Sequence, residues 1–98
     1  MLVLRGSLPA RAQREYARTL AGEGRVAGGE SVREDAWQRA AELLFERLAV
    51  RWTIAGLPLE RQDELIGRYR MATAEERAWV RDILREHLAA NFPELQAP

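Results

Sequence analysis

Residues 31–56 read SVREDAWQRAAELLFERLAVRWTIAG, and how far this stretch stays helical decides the fold. It opens with Ser31-Val-Arg-Glu34, a capping box in which serine and glutamate each satisfy a free backbone donor. From there apolar residues recur at helical spacing without interruption until Gly56, with Pro58 just beyond. The pattern predicts one helix over 32–55, spanning ~36 Å at ~1.5 Å per residue.

On a helical wheel this segment carries two apolar faces. Trp37, Ala41, Leu44, Phe45, Leu48, Trp52 and Ala55 share the broader one. Val32, Ala36, Leu43, Val50 and Ile54 form a second, roughly 130° away. Arg33, Arg47 and Arg51 fall in the wedge between them. Two arrangements account for such a helix. It is either the centre of a bundle, with arginine stems lying between its neighbours, or its second face meets another chain, most simply across a two-fold axis. A small core leaves little to cover three tryptophans and many leucines, which favours the second arrangement. Leu43, Val50 and Ile54 are then the expected contact, with Arg47 and Arg51 at its rim.

Three further helices flank this one. The first is expected over 8–21, with Ser7 as N-cap, Pro9 in the first turn and Gly22 as terminator. A glycine-rich loop follows over 22–30. The third is expected over 59–70. The fourth, over 74–91, opens with a second capping box, Thr73-Ala-Glu-Glu76, and ends before Phe92-Pro93. The fold expected is therefore an all-α bundle of four helices around a long second helix. Residues 1–7 form an extended lead-in, 8–92 a single helical domain and 93–98 a flexible tail.

The chain has 98 residues, 47% of them hydrophobic and 31% charged, which suits one globular domain. Absence of cysteine removes disulfides, thiolate metal sites and cysteine nucleophiles, and suggests a cytoplasmic location. No run approaches the ~18 apolar residues of a membrane span. All fifteen basic residues are arginine, so P-loop and Schiff-base chemistry, which need lysine, are excluded. A single histidine, His87, makes a zinc site improbable, and it falls at the centre of the apolar arc of helix 4, which comprises Trp79, Val80, Ile83, Leu84 and Leu88. Ser7, Ser31 and Thr73 all have capping roles rather than a base partner. No cofactor, metal site or catalytic constellation is expected.

Charge is unevenly spread. Residues 1–33 hold six arginines against three glutamates, and the remainder holds nine against twelve acids. Arg11, Arg14 and Arg18 line the outer face of helix 1, and Arg25 extends the patch into the loop. Such a stripe is usually solvated, but it is also what phosphate contacts require. Helix 3, the Met71-Ala72-Thr73 turn and helix 4 have the outline of a helix-turn-helix. Glu75 and Glu76 stand where base-reading residues belong, which argues against sequence-specific DNA reading. The function expected is a non-catalytic protein-interaction module, a homodimer or a small subunit or regulator of a larger assembly. The alternative is a nucleic-acid-associated protein that uses the helix 1 arginines.

Overall fold

The computed structural model describes residues 1–22 and 30–95, and for residues 30–33 the backbone alone. Arg25 and most of the glycine-rich loop lie outside the described residues, as does the Ser31 side chain of the first capping box. The chain forms β1 (Leu2–Leu4), α1 (Ala10–Leu20), α2 (Glu30–Leu48), β2 (Ala49–Ile54), β3 (Leu57–Leu59), α3 (Gln62–Arg70) and α4 (Ala74–Asn91). The three strands make an antiparallel sheet in the order β1-β2-β3. No described helix is long and apolar enough to cross a membrane.

The sheet overturns the all-α expectation. The second helix does not run to Ala55; it stops at Leu48, and the chain enters β2 with no intervening loop. Residues 49–54, Ala-Val-Arg-Trp-Thr-Ile, concentrate β-branched and aromatic side chains, which suit a pleated surface better than a helix end. Backbone pairing completes the strand. Thr53 exchanges both hydrogen bonds with Met1: its N–H donates to the Met1 carbonyl at 2.8 Å, and the Met1 ammonium donates to its carbonyl at 2.9 Å. Leu2 then lies opposite Trp52 and Val3 opposite Arg51. The next pair is Leu4 with Ala49, so Val50 is the extra residue of a β-bulge on β2. The lead-in therefore contains an edge strand.

Gly56 marks a hairpin rather than a helix terminus. Ile54 pairs with Leu57, leaving Ala55 and Gly56 as a two-residue loop. Both have positive φ, 51° and 80°, as a type I′ turn demands. Leu57–Leu59 belong to β3, so α3 begins at Gln62, three residues later than the spacing predicts. Likewise α1 begins at Ala10 behind Pro9, and Ser7 caps nothing there. By contrast α4 occupies 74–91, the range its capping box marks. Thr73 Oγ1 accepts from the Glu76 N–H and Glu76 Oε1 accepts from the Thr73 N–H, each at 3.1 Å.

The core lies where α2 meets everything else. α1, α3 and α4 all pack against α2, α1 most extensively. Ala40, Ala41, Leu44, Phe45 and Leu48 of α2 are fully buried with Tyr16 of α1 and with Val80, Leu84 and Leu88 of α4. Phe45 binds the layers together. Its ring lies edge-on to Trp52 at 5.6 Å and stacked on Tyr69 at 4.7 Å, joining α2, β2 and α3. His87 ties the ends of the molecule, its Nε2–H donating to the Arg5 carbonyl at 2.6 Å. After α4, the Leu95 N–H donates to the Phe92 carbonyl at 2.9 Å and Leu95 packs back against the core. Residues 96–98 lie outside the described residues.

Two outcomes follow from this arrangement. Ala55 sits in the left-handed region, which costs an alanine ~1–2 kcal/mol and asparagine less. Ala55→Asn is expected to raise unfolding free energy by about 0.5–1 kcal/mol in urea titrations. A helical residue 55 would give the opposite sign. Burial pushes the Tyr16 phenol from 10.0 to about 12. Between those values the unfolded chain loses its proton first, so stability is intact below pH 10 and falls as pH rises toward 12. Urea unfolding across that range should show a shallower decline in Tyr16→Phe.

Candidate interaction surfaces

Leu43, Arg47, Val50, Arg51 and Ile54, which a continuous helix would align, do not form one surface. Leu43 and Arg47 remain on α2, whereas Val50, Arg51 and Ile54 pass to β2, where side chains follow the strand's period instead. Leu43 and Ile54 are half-buried and packed against the core of this chain. The two arginines are spoken for as well. Arg47 lies 3.4 Å from Glu15 of α1, and Arg51 lies 3.9 Å from Glu60. Extending the helical period seven residues too far, from Leu48 to Ala55, is what puts Val50 and Ile54 on the second apolar face of α2. Its tip folds back as the sheet, and this chain covers most of it.

Both sheet edges are poor templates for another strand. The Thr53 N–H and C=O both serve Met1, so they turn away from Pro58, which pairs opposite Thr53. In an antiparallel pair, Pro58 is then the β3 residue whose backbone faces outward, and proline has no N–H to offer. On the other side β1 is only three residues long, and its pairing with β2 is interrupted by the bulge at Val50. Short, bulged or proline-bearing edges are how sheets avoid unwanted pairing. Any partner therefore has to be held by side chains.

Among the described residues, the exposed large apolar side chains Met1, Leu57 and Trp79 lie at or beside the hairpin, while Met71 stands apart in the turn between α3 and α4. Trp52 is 3% exposed and faces the core, and Trp79 of α4 stacks over it at 6.5 Å, remaining 45% exposed. The buried stripe of α4 is Val80, Leu84 and Leu88, at i, i+4 and i+8. Trp79 lies about 100° from Val80 on the same helix, at the border of that stripe. Beside it opens a shallow cavity of about 390 Å³ whose walls include Met1, Trp52, Ile54 and Trp79, with Glu75 and Glu76 on one side. Leu57, 71% exposed, sits opposite Ile54 and extends the apolar surface along the hairpin. A large indole held at one face and open at the other is the kind of anchor interfaces favour.

The floor of this corner is fixed by charge. The Arg68 guanidinium lies 5.4 Å over the Trp52 ring and pairs with Glu76 Oε2. Glu76 thus caps α4 and clamps Arg68 together. Hydrogen bonds from the Thr73 backbone and from Arg68 hold its carboxyl below the usual carboxylate range.

Beyond Trp79, Glu75, Asp82 and Glu86 complete an exposed stripe at i, i+4, i+7 and i+11. Asp82 pairs with Arg85 at 2.6 Å. Glu75 and Glu86 have no ion-pair partner among the described residues. The outer face of α1 has the opposite character. Arg11, Arg14 and Arg18 are all exposed, and among the described residues neither Arg11 nor Arg14 has a carboxylate within ion-pair distance. Arg11, Arg18 and Arg47 surround a shallow hollow that also contains Glu15. Sequence patterning identifies the arginine stripe, but it assigns Trp79 to the buried arc.

Comparison with protein-family models, with curated proteins and with solved structures finds no match for this chain.

The clamp at Glu76 yields a stability prediction with a defined sign. A folded-state pKa below the unfolded one contributes stability at neutral pH, and this is lost as pH falls through the folded value. Glu76→Gln should therefore flatten the acid side of the stability profile measured by urea unfolding. Thr73→Ala, which removes the cap, should cost about 1 kcal/mol at pH 7.

Proposed function

We propose that this chain is a non-catalytic protein-interaction module that associates with a second copy of itself. In this reading Trp79 and its acidic stripe on α4 dock against the arginine face of α1. The observation that carries it is complementarity between two surfaces of one molecule. One is a half-exposed indole flanked by the unpaired carboxylates Glu75 and Glu86; the other presents the unpaired guanidiniums Arg11 and Arg14. A guanidinium stacked on an indole gains cation–π attraction as well as ion pairing, and arginine and tryptophan are favoured interface anchors. The apolar hairpin tip beside Trp79 supplies area from which water is expelled on contact.

A phosphate-binding reading of the same arginines competes with this one. It is weakened because, of the arginines around that hollow, Arg47 is tied to Glu15 and Arg18 is engaged as well, which leaves Arg11 as the one guanidinium there without a carboxylate within reach among the described residues.

Sedimentation across a concentration and salt series tests the proposal. At low ionic strength the unmodified protein should sediment above the 11.2 kDa monomer mass and move toward it as salt is added. Trp79→Glu should abolish the association while leaving far-UV circular dichroism unchanged, since the ring is half exposed. A single 11.2 kDa species at every concentration in low salt contradicts the proposal. Salt-sensitive retention of mixed DNA or RNA by that monomer would favour the phosphate reading instead.

A further inference from the structure

A separate cleft lies between α2, α3 and α4, on a different face of α4 from the Trp79 stripe. Its α4 wall is Ala74, Arg77 and Arg81, at i, i+3 and i+7. Arg39 enters from α2, and Tyr69 and Arg70 from α3. Its volume is about 240 Å³, just below the ~300–1,000 Å³ of typical small-molecule sites, so it suits a compact group.

The charges of this cleft do not balance. Four guanidiniums line it against two carboxylates, Asp35 and Glu42. Glu42 is engaged by Arg70 at 2.7 Å, and Arg81 by Glu34 at 3.5 Å from outside the cleft. Arg39 and Arg77 have no carboxylate partner among the described residues. Arg77 is held by one bond, its Nη2 donating to the Arg70 carbonyl at 2.7 Å. Its Nε is buried without any acceptor. A buried cationic donor lacking an acceptor is costly, so the side chain gains if a small rotation can offer that edge to an oxyanion. Arg77 and Arg81 also lie close enough to the Tyr69 hydroxyl to oppose the upward shift that burial imposes on it.

We propose that this cleft binds a phosphate group, carried by a small phosphate monoester or free in solution, held by Arg39 and Arg77 with Arg81 and Tyr69 alongside. Donors converge from three helices, an arrangement that surrounds a tetrahedral anion. A planar carboxylate needs only a single guanidinium fork. The site shares no residue with the self-association surface, so either reading can fail without the other.

Isothermal titration with inorganic phosphate and with glycerol phosphate, at ionic strength fixed by chloride, provides the test. Saturable one-site binding of either probe is expected, and the stronger of the two identifies the source of the group. Arg39→Gln and Arg77→Gln should each weaken it about tenfold or more, the loss of one charge-assisted hydrogen bond. Arg11→Gln on α1 should leave it unchanged. Arg39 is exposed, so its replacement keeps the test independent of folding. Absence of saturable heat with both probes overturns the proposal. So does an affinity that survives both cleft substitutions, or one that falls equally in Arg11→Gln.

Discussion

The packing of Trp52 against Phe45 is the contact on which the rest of this molecule depends. Phe45 lies in the last turn of α2 and Trp52 at the middle of β2, and the chain reverses between them without a loop. Their edge-to-face contact brings β2 back across the end of the helix that precedes it. Tyr69, stacked on the other side of Phe45, draws α3 into the same cluster. Once Trp52 is fixed, its strand offers Thr53 to Met1 on one side and Ile54 to Leu57 on the other. Removing the Phe45 ring would forfeit both contacts, with ~3–5 kcal/mol expected from such a truncation. That is a large share of the ~5–15 kcal/mol available to a domain.

The charged network has a different task. Arg68 with Glu76, Arg70 with Glu42 and Arg81 with Glu34 link neighbouring helices, but most members are partly exposed. Pairs of that kind contribute little stability each. What they achieve is placement. Arg68 lies across the back of Trp52, and Arg70 removes Glu42 from competition in the arginine cleft. The residues left unpaired, Glu75 and Glu86 on one surface, Arg11 and Arg14 on another, and Arg39 and Arg77 in the cleft, support the two binding proposals.

Legibility from sequence followed the physics of each signal. The Thr73-Ala-Glu-Glu76 box is a local, chemically specific pattern, and α4 starts where it points. The α2–β2 boundary carries no such mark. Neither glycine nor proline occurs from Ser31 to Ala55, and Leu48 and Trp52 are four apart, so a helical count continues through a residue that is buried either way. Val50, Thr53 and Ile54 were the available strand signal, and Ala55-Gly56 the available turn signal. Apolar periodicity outweighs both. The partner that stabilises β2 lies about fifty residues away at the N-terminus, and short-range pattern cannot anticipate that. Trp79 is illegible for a related reason: a wheel groups it with Val80 and Ile83, but only packing fixes where the buried arc ends. The arginines of the cleft come from three helices and share no local motif.

If α2 ran through residue 55, the sheet, the exposed hairpin tip and the setting of Trp79 would all disappear together. A nuclear Overhauser spectrum of the isotope-labelled protein decides between the two chain paths. Leu2 and Trp52 form a pair that exchanges no hydrogen bonds, so their Hα atoms should give a strong cross-strand contact. Sequential amide–amide contacts should fade after Leu48. Continuous strong amide–amide contacts from Leu48 to Ala55, with no Leu2–Trp52 signal, would contradict the account.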